Sequence, residues 1–234
     1  MTEAEWLSST DPTPMLEFLR GKASDRKLRL FAVACCHFIW PLLTDERARV
    51  TVETAEDYAD GLATENSRRD LVKRYCTVRG LSNSLDSAVS AAGWCVASPF
   101  TVTEAEHCTH CAVYARIHYA DEVGDITYKT DDWPESYNLA MDPMRSATKA
   151  AQASLLHCIF NPFHPITLDP SWLTSTVTTL ARSMYDTRDF TAMPILADAL
   201  QDAGCDDDQV LSHCRGEGVH VRGCFLIDLL TGRE

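Results

Sequence analysis

Apolar side chains recur at intervals of three and four along almost the whole chain, and proline, glycine and short polar residues close each run. That period lays an apolar stripe on one side of an α-helix, and nothing in the chain shows the strict alternation of a half-buried strand. A sequence written this way is left with helix packed on helix. Over 24–40 the stripe is Leu28, Phe31, Ala32, Cys35 and Ile39, and Pro41 stops it. A second helix is expected over 46–62 on Val50, Val52, Ala55, Tyr58 and Leu62, with Gly61 near its end. Shorter helical segments follow over 68–78 and 85–96, separated by Gly80 and Asn83.

The next start signal is Thr103 with Glu106, the spacing of a capping box, in which hydroxyl and carboxylate each serve a backbone amide. On that helix Cys108, Cys111, Ala112, Ala115 and Tyr119 share one face. Cys108 and Cys111 have the C-x2-C spacing of a zinc knuckle, but knuckles start in turns. Small cysteines among alanines read instead as close helix packing, with His107 and His110 at the edge of the stripe.

Over 121–146 the period breaks into an acidic stretch with two prolines, read as a connecting loop and a domain boundary. Helices resume after it. One covers 147–160 and ends at Asn161-Pro162; Asp169 is placed to cap another that opens on Pro170. Pro194 opens a third, which Gly204 closes, and Asp206, Asp207 and Asp208 lie at the start of a fourth that ends on His213 and Arg215. The last is expected over 220–230. The fold class is therefore all-α, a multi-helix bundle of about nine to ten helices that divides into an N-terminal helical domain (1–120), the acidic connecting loop (121–146) and a C-terminal helical domain (147–234).

Charge narrows the partners. The formal net charge is -13, and beyond residue 100 the chain carries 9 basic against 20 acidic residues. A polyanion is repelled by such a surface, and Arg68, Arg69, Lys73, Arg74 and Arg79, the one basic cluster, read as a solvated helix face, so no direct nucleic-acid binding is expected. The longest apolar run, 30–43, is about fourteen residues, short of the roughly twenty that span a bilayer. The opening Met1-Thr2-Glu3-Ala4-Glu5 lacks the basic and apolar regions of a secretory signal, so a reducing cytoplasmic setting is expected. There the ten cysteines stay free, and most serve as small core side chains.

Cysteine and histidine nevertheless gather in the tail. His213-Cys214 ends one helix, Gly216 and Gly218 bend the chain, and His220 and Cys224 follow one turn apart. Sulfur and imidazole are the ligands zinc prefers, so His213, Cys214, His220 and Cys224 form the candidate structural zinc set. The competing reading has Cys214 and Cys224 as core residues. Elsewhere, Cys35-Cys36-His37 and His157-Cys158 show adjacency only, which on a helix points side chains in different directions. There is no GxSxG, P-loop, HExxH or dinucleotide fingerprint, and no catalytic residue or cofactor-binding residue is assigned.

Several tail motifs carry a likeness. Asn161-Pro162-Phe163, Leu168-Asp169-Pro170-Ser171-Trp172-Leu173, Pro194-Ile195-Leu196-Ala197-Asp198-Ala199-Leu200, Ala203-Gly204-Cys205-Asp206, His213-Cys214-Arg215 and His220-Val221-Arg222-Gly223-Cys224 resemble a paralogous family expanded in planctomycete bacteria. The opening Thr2-Glu3-Ala4-Glu5-Trp6 and Met15-Leu16-Glu17-Phe18-Leu19-Arg20-Gly21-Lys22 resembles it too. Cys36-His37-Phe38 stands where that family is more basic, and Phe225 where tryptophan is common. The likeness implies a bacterial cytosolic protein and carries no assigned reaction. The expected function is a non-enzymatic protein-protein interaction or accessory subunit, whose partner presents a basic surface. A small structural zinc protein is the alternative, and an enzyme with an unrecognised site the third.

Overall fold

Every regular element is a helix among the described residues, which are 1–75, 83–98, 100–124 and 135–233 of the computed structural model. The all-α class expected from periodicity is what the chain adopts, with twelve α-helices among the described residues rather than nine to ten. The surplus comes from the start of the chain. Thr2 caps α1 (Glu3–Ser8) in a full capping box with Glu5, and Asp11 caps α2 (Pro12–Leu19), which opens on proline. Trp6, Met15 and Leu16 of these short helices are buried.

The chain divides into two compact units, Met1–Ala153 and Ser154–Glu234. In the first, α3 (Asp25–Phe38) is buried over most of its length and packs on α4 (Glu46–Ala59), α6 (Asn83–Trp94) and α7 (Val102–Glu122). α5 (Glu65–Tyr75) lies against α4, and α2 against α7. Hydrophobic residues of α3, α6 and α7, among them Phe31, Val89 and Ile117, fill this core. Arg29 is the unusual member at 1% exposure. Its Nη1 donates to the Cys95 carbonyl at 2.6 Å and the Ala97 carbonyl at 3.1 Å, its Nη2 donates to Asp25 at 2.9 Å, and Phe100 lies under its guanidinium at 4.5 Å. One side chain thereby ties α3 to the turn that follows α6.

In the second unit, α9 (Ser175–Thr187) packs on α12 (Phe225–Thr231) and α10 (Met193–Asp202), and α10 packs on α11 (Asp208–Arg215). Val177, Met184, Tyr185, Leu196, Leu200 and Ile227 are buried in its core. α8 (Glu135–Ile159) is the helix within which the chain passes from one unit to the other.

Several elements differ from expectation for local reasons. T-x-x-E occurs twice in succession, and the earlier copy wins: Thr101 caps α7 with Glu104, which turns Val102, Ala105 and Cys108 inward together. The expected acidic loop is helical from Glu135, with Pro143 inside α8; residues 125–134 lie outside the described residues. Proline breaks a pattern search but removes only one backbone donor, and Leu139, whose carbonyl it leaves unserved, is 74% exposed. Asp169 caps a single 3-10 turn, Pro170–Trp172, and Thr174 caps the real helix. The last helix starts at Phe225, so His220 lies in irregular chain ahead of a turn over 221–224 that Gly223 makes possible at φ 88°. In the basic cluster, Arg68 is buried, pairs with Glu65 at 2.6 Å and donates to the Val96 carbonyl; it is no solvated residue. Arg69 is exposed, and the side chains at 73, 74 and 79 lie outside the described residues. No described helix is long and apolar enough to cross a membrane.

Arg29→Ala strands two carbonyls and opens a cavity, so it should lower unfolding free energy by about 3 kcal/mol in urea denaturation. A loss below about 0.5 kcal/mol, the range of surface substitutions, would show that Arg29 does not staple α3.

Candidate metal centre

Three sequence-distant positions of the C-terminal unit converge because of how their helices end. α11 is capped by Asp207, whose carboxylate accepts from the amides of Gln209 and Val210, and it runs until Gly216. That puts His213 in its last turn. The chain then reverses through Gly216 and Gly223 and delivers His220 and then Cys224, the N-cap residue of α12. Cys158 comes from the last turn of α8.

The ligand atoms of Cys158, His213, His220 and Cys224 all lie within 4.8 Å of one another. His213 Nε2 is 3.2 Å from Cys224 Sγ, and Cys158 Sγ is 3.9 Å from His220 Nδ1. A tetrahedral zinc ion, with bonds of about 2.3 Å to sulfur and 2.0 Å to nitrogen, spaces its ligand atoms about 3.3–3.8 Å apart. Small side-chain shifts bring this set to that geometry. The two imidazoles meet edge to face at 4.8 Å, and Phe225 packs against His213 at 4.3 Å, so their planes are held by packing. Both cysteines are buried and both histidines half-buried.

Electrostatics separate the cysteines. Burial opposes ionisation of Cys224, but hydrogen bonds from Cys158, His213 and His220, with the charge of His213, outweigh it and hold this thiol well below its ordinary range. A lowered pKa favours the thiolate, the form that binds metal. His220 turns Nδ1 toward Cys158, and its Nε2 is buried with no hydrogen-bond partner among the described residues, a cost of about 1–3 kcal/mol that a bound water would relieve.

Of the expected set, His213, His220 and Cys224 come together and Cys214 does not. Successive residues of a helix point about 100° apart, so with His213 turned to the cluster, Cys214 enters the core, where burial pushes its thiol up to about 12. Cys158 stands in the place given to Cys214. Its only sequence signal was adjacency to His157.

The N-terminal unit holds a second sulfur cluster. Cys36 of α3, Cys95 just past α6 and Cys108 of α7 are all buried, with Sγ separations of 3.5, 3.8 and 3.9 Å. Cys108 packs inward as its stripe requires, but Cys111, its C-x2-C mate, is not part of this cluster. His107 stacks on Trp94 and His110 leans on Tyr114.

A cleft of about 350 Å³ in the same unit is lined by Glu106, His110, Tyr114, Arg145, Lys149 and Gln152, with others. Its cations are already engaged: Lys149 pairs with Asp11 at 2.7 Å and Arg145 with Asp142 at 2.8 Å.

Compared with protein-family models, curated proteins and solved structures, the chain matches none.

Cys214 keeps its proton in the fold to about 12, whereas an unfolded thiol loses its proton near 9.0. A raised folded value contributes stability below 9 that is lost as pH rises toward 12. Cys214→Ala should therefore flatten the alkaline fall in urea midpoint between pH 8 and 11; an unchanged slope would place the titrating group elsewhere.

Proposed function

We propose that the C-terminal unit is a structural zinc module, with the ion held by Cys158, His213, His220 and Cys224. The observation that carries this is the mutual approach of four ligand atoms, two sulfur and two nitrogen, within 4.8 Å. Two thiolates and two neutral imidazoles around a divalent cation sum to zero charge, which suits a site whose cysteines are buried. Four protein ligands also leave no open position for substrate, the mark of a structural rather than a catalytic centre. The zinc ion would hold the end of α8, the end of α11 and the start of α12 in fixed register.

On that scaffold the chain acts as a non-enzymatic interaction module in the bacterial cytoplasm. The supporting observation is charge: the formal net charge is -13, concentrated beyond residue 100, which favours a protein partner with a basic surface. Nine described cysteines are free, as a reducing compartment would keep them. Kinship with the planctomycete family belongs to the same proposal. The tail motifs His213-Cys214-Arg215 and His220-Val221-Arg222-Gly223-Cys224 contain three of the four ligands. Relatives sharing that tail should then carry a cysteine at the position of Cys158.

Elemental analysis of the purified chain should find one zinc per molecule. Cys158→Ala and Cys224→Ala should lose it and melt at lower temperature, while Cys214→Ala should keep the metal. Absence of zinc from the folded, chelator-free chain, or loss on Cys214→Ala alone, would rule the site out. Association with a basic partner should weaken as salt rises; affinity that is flat with ionic strength removes the charge argument.

A further inference from the structure

The geometry points to a second metal site of different chemistry: Cys36, Cys95 and Cys108 form an all-sulfur, three-coordinate centre for Cu(I). Three independent elements deliver these sulfurs, the C-terminal half of α3, the turn after α6 and the first half of α7. A triangle with sides of 3.5, 3.8 and 3.9 Å has its centre about 2.2 Å from every corner, close to a metal-thiolate bond length such as the 2.3 Å of zinc. The trio therefore already has the dimensions of a trigonal site.

Two features select the ion. Zinc in a structural site takes four ligands, and no fourth His, Cys, Asp or Glu ligand atom joins these three among the described residues. Water is a poor fourth ligand here, since all three cysteines are 0% exposed. Thiolate sulfur suits Cu(I), zinc and iron-sulfur clusters alike, and of these Cu(I) is the ion content with three ligands. Zinc instead suits the mixed sulfur and nitrogen set of the other unit.

Three thiolates around a monovalent ion leave negative charge in the core, and the guanidinium of Arg29, itself paired with Asp25 at 2.9 Å, is the neighbouring positive charge. Arg29 is buried and donates to the Cys95 carbonyl at 2.6 Å. Without metal, the sulfurs satisfy one another and backbone carbonyls: Cys108 donates toward the carbonyls of Ala32 at 3.4 Å and Ala91 at 3.5 Å. Loading forms three copper-sulfur bonds and releases the thiol protons to solvent. No electron is transferred. Because the site is enclosed, copper enters as the unit folds or through transient opening.

The test uses the full chain, zinc-loaded, refolded without oxygen and titrated with Cu(I) supplied as its coloured bicinchoninate complex. The chain should withdraw one equivalent of copper, and copper-edge X-ray absorption should show three sulfurs and no nitrogen. Cys36→Ser and Cys108→Ser should weaken retention by roughly 100-fold or more, since losing even an outer-shell partner costs about 10–100-fold. Cys111→Ser, on the same helix as Cys108, should retain copper. Should the serine variants fail to fold, the absorption spectrum of the unaltered chain decides. Failure to compete with bicinchoninate overturns the site. Nitrogen in the copper shell does so too, because it would place copper on the His213 and His220 set; zinc content, read separately, keeps that failure distinct from failure of the zinc module.

Discussion

Two cysteines and two histidines facing one another inside a small helical unit set up a charge problem, and the C-terminal unit is arranged around its solution. A lone thiolate in a core is expensive, and so is a buried ring nitrogen without a partner. Hydrogen bonds from Cys158, His213 and His220 nevertheless hold the Cys224 thiol well below its ordinary range, and His220 Nε2 is left without a partner among the described residues. A divalent cation held by these side chains would offset the thiolate charge, and a bound water would serve Nε2. A unit of roughly eighty residues gains few kcal/mol from its core alone, and metals are among the staples that small domains use. The short helices α11 and α12, of 8 and 7 residues, are below the length at which helices persist unaided. A zinc ion fixing the end of one and the start of the other would add to the packing of Val210, Leu211, Leu226 and Ile227 in the core.

The N-terminal unit solves its own problem differently. It has a larger core, long helices and Arg29 as an internal staple, so its sulfur cluster bears no comparable structural burden. Cys36, Cys95 and Cys108 sit where α3, the turn after α6 and α7 approach closely, and small side chains permit that approach. Close packing and ligand geometry coincide there. The two clusters differ in the feature that matters for metal choice: one mixes imidazole with sulfur at the edge of its unit, the other is sulfur alone and dry.

Helix class was legible because it depends on a period that survives single exceptions. Boundaries were less so, since each rests on one or two residues. Thr101 and Thr103 offer the same cap spacing, and only burial of Val102 and Ala105 separates them. Pro143 made a helix look like a loop, because a sequence window cannot see that the affected carbonyl lies on an exposed face. Of the four residues proposed to hold zinc, three were visible as a local group in the tail. Cys158 was hidden by distance along the chain, and Cys214 drew attention by adjacency to His213, which on a helix separates side chains rather than joining them. The sulfur trio was dispersed over three helical regions, and the C-x2-C spacing of Cys108 and Cys111 pointed away from it.

Zinc-edge X-ray absorption on the purified chain reads the coordination sphere directly. Zinc held by Cys158, Cys224, His213 and His220 gives two sulfurs at about 2.3 Å and two nitrogens at about 2.0–2.1 Å. Three sulfurs, a single sulfur, or a shell dominated by oxygen would mean that these four side chains do not hold the ion and that the C-terminal unit is stabilised by packing alone.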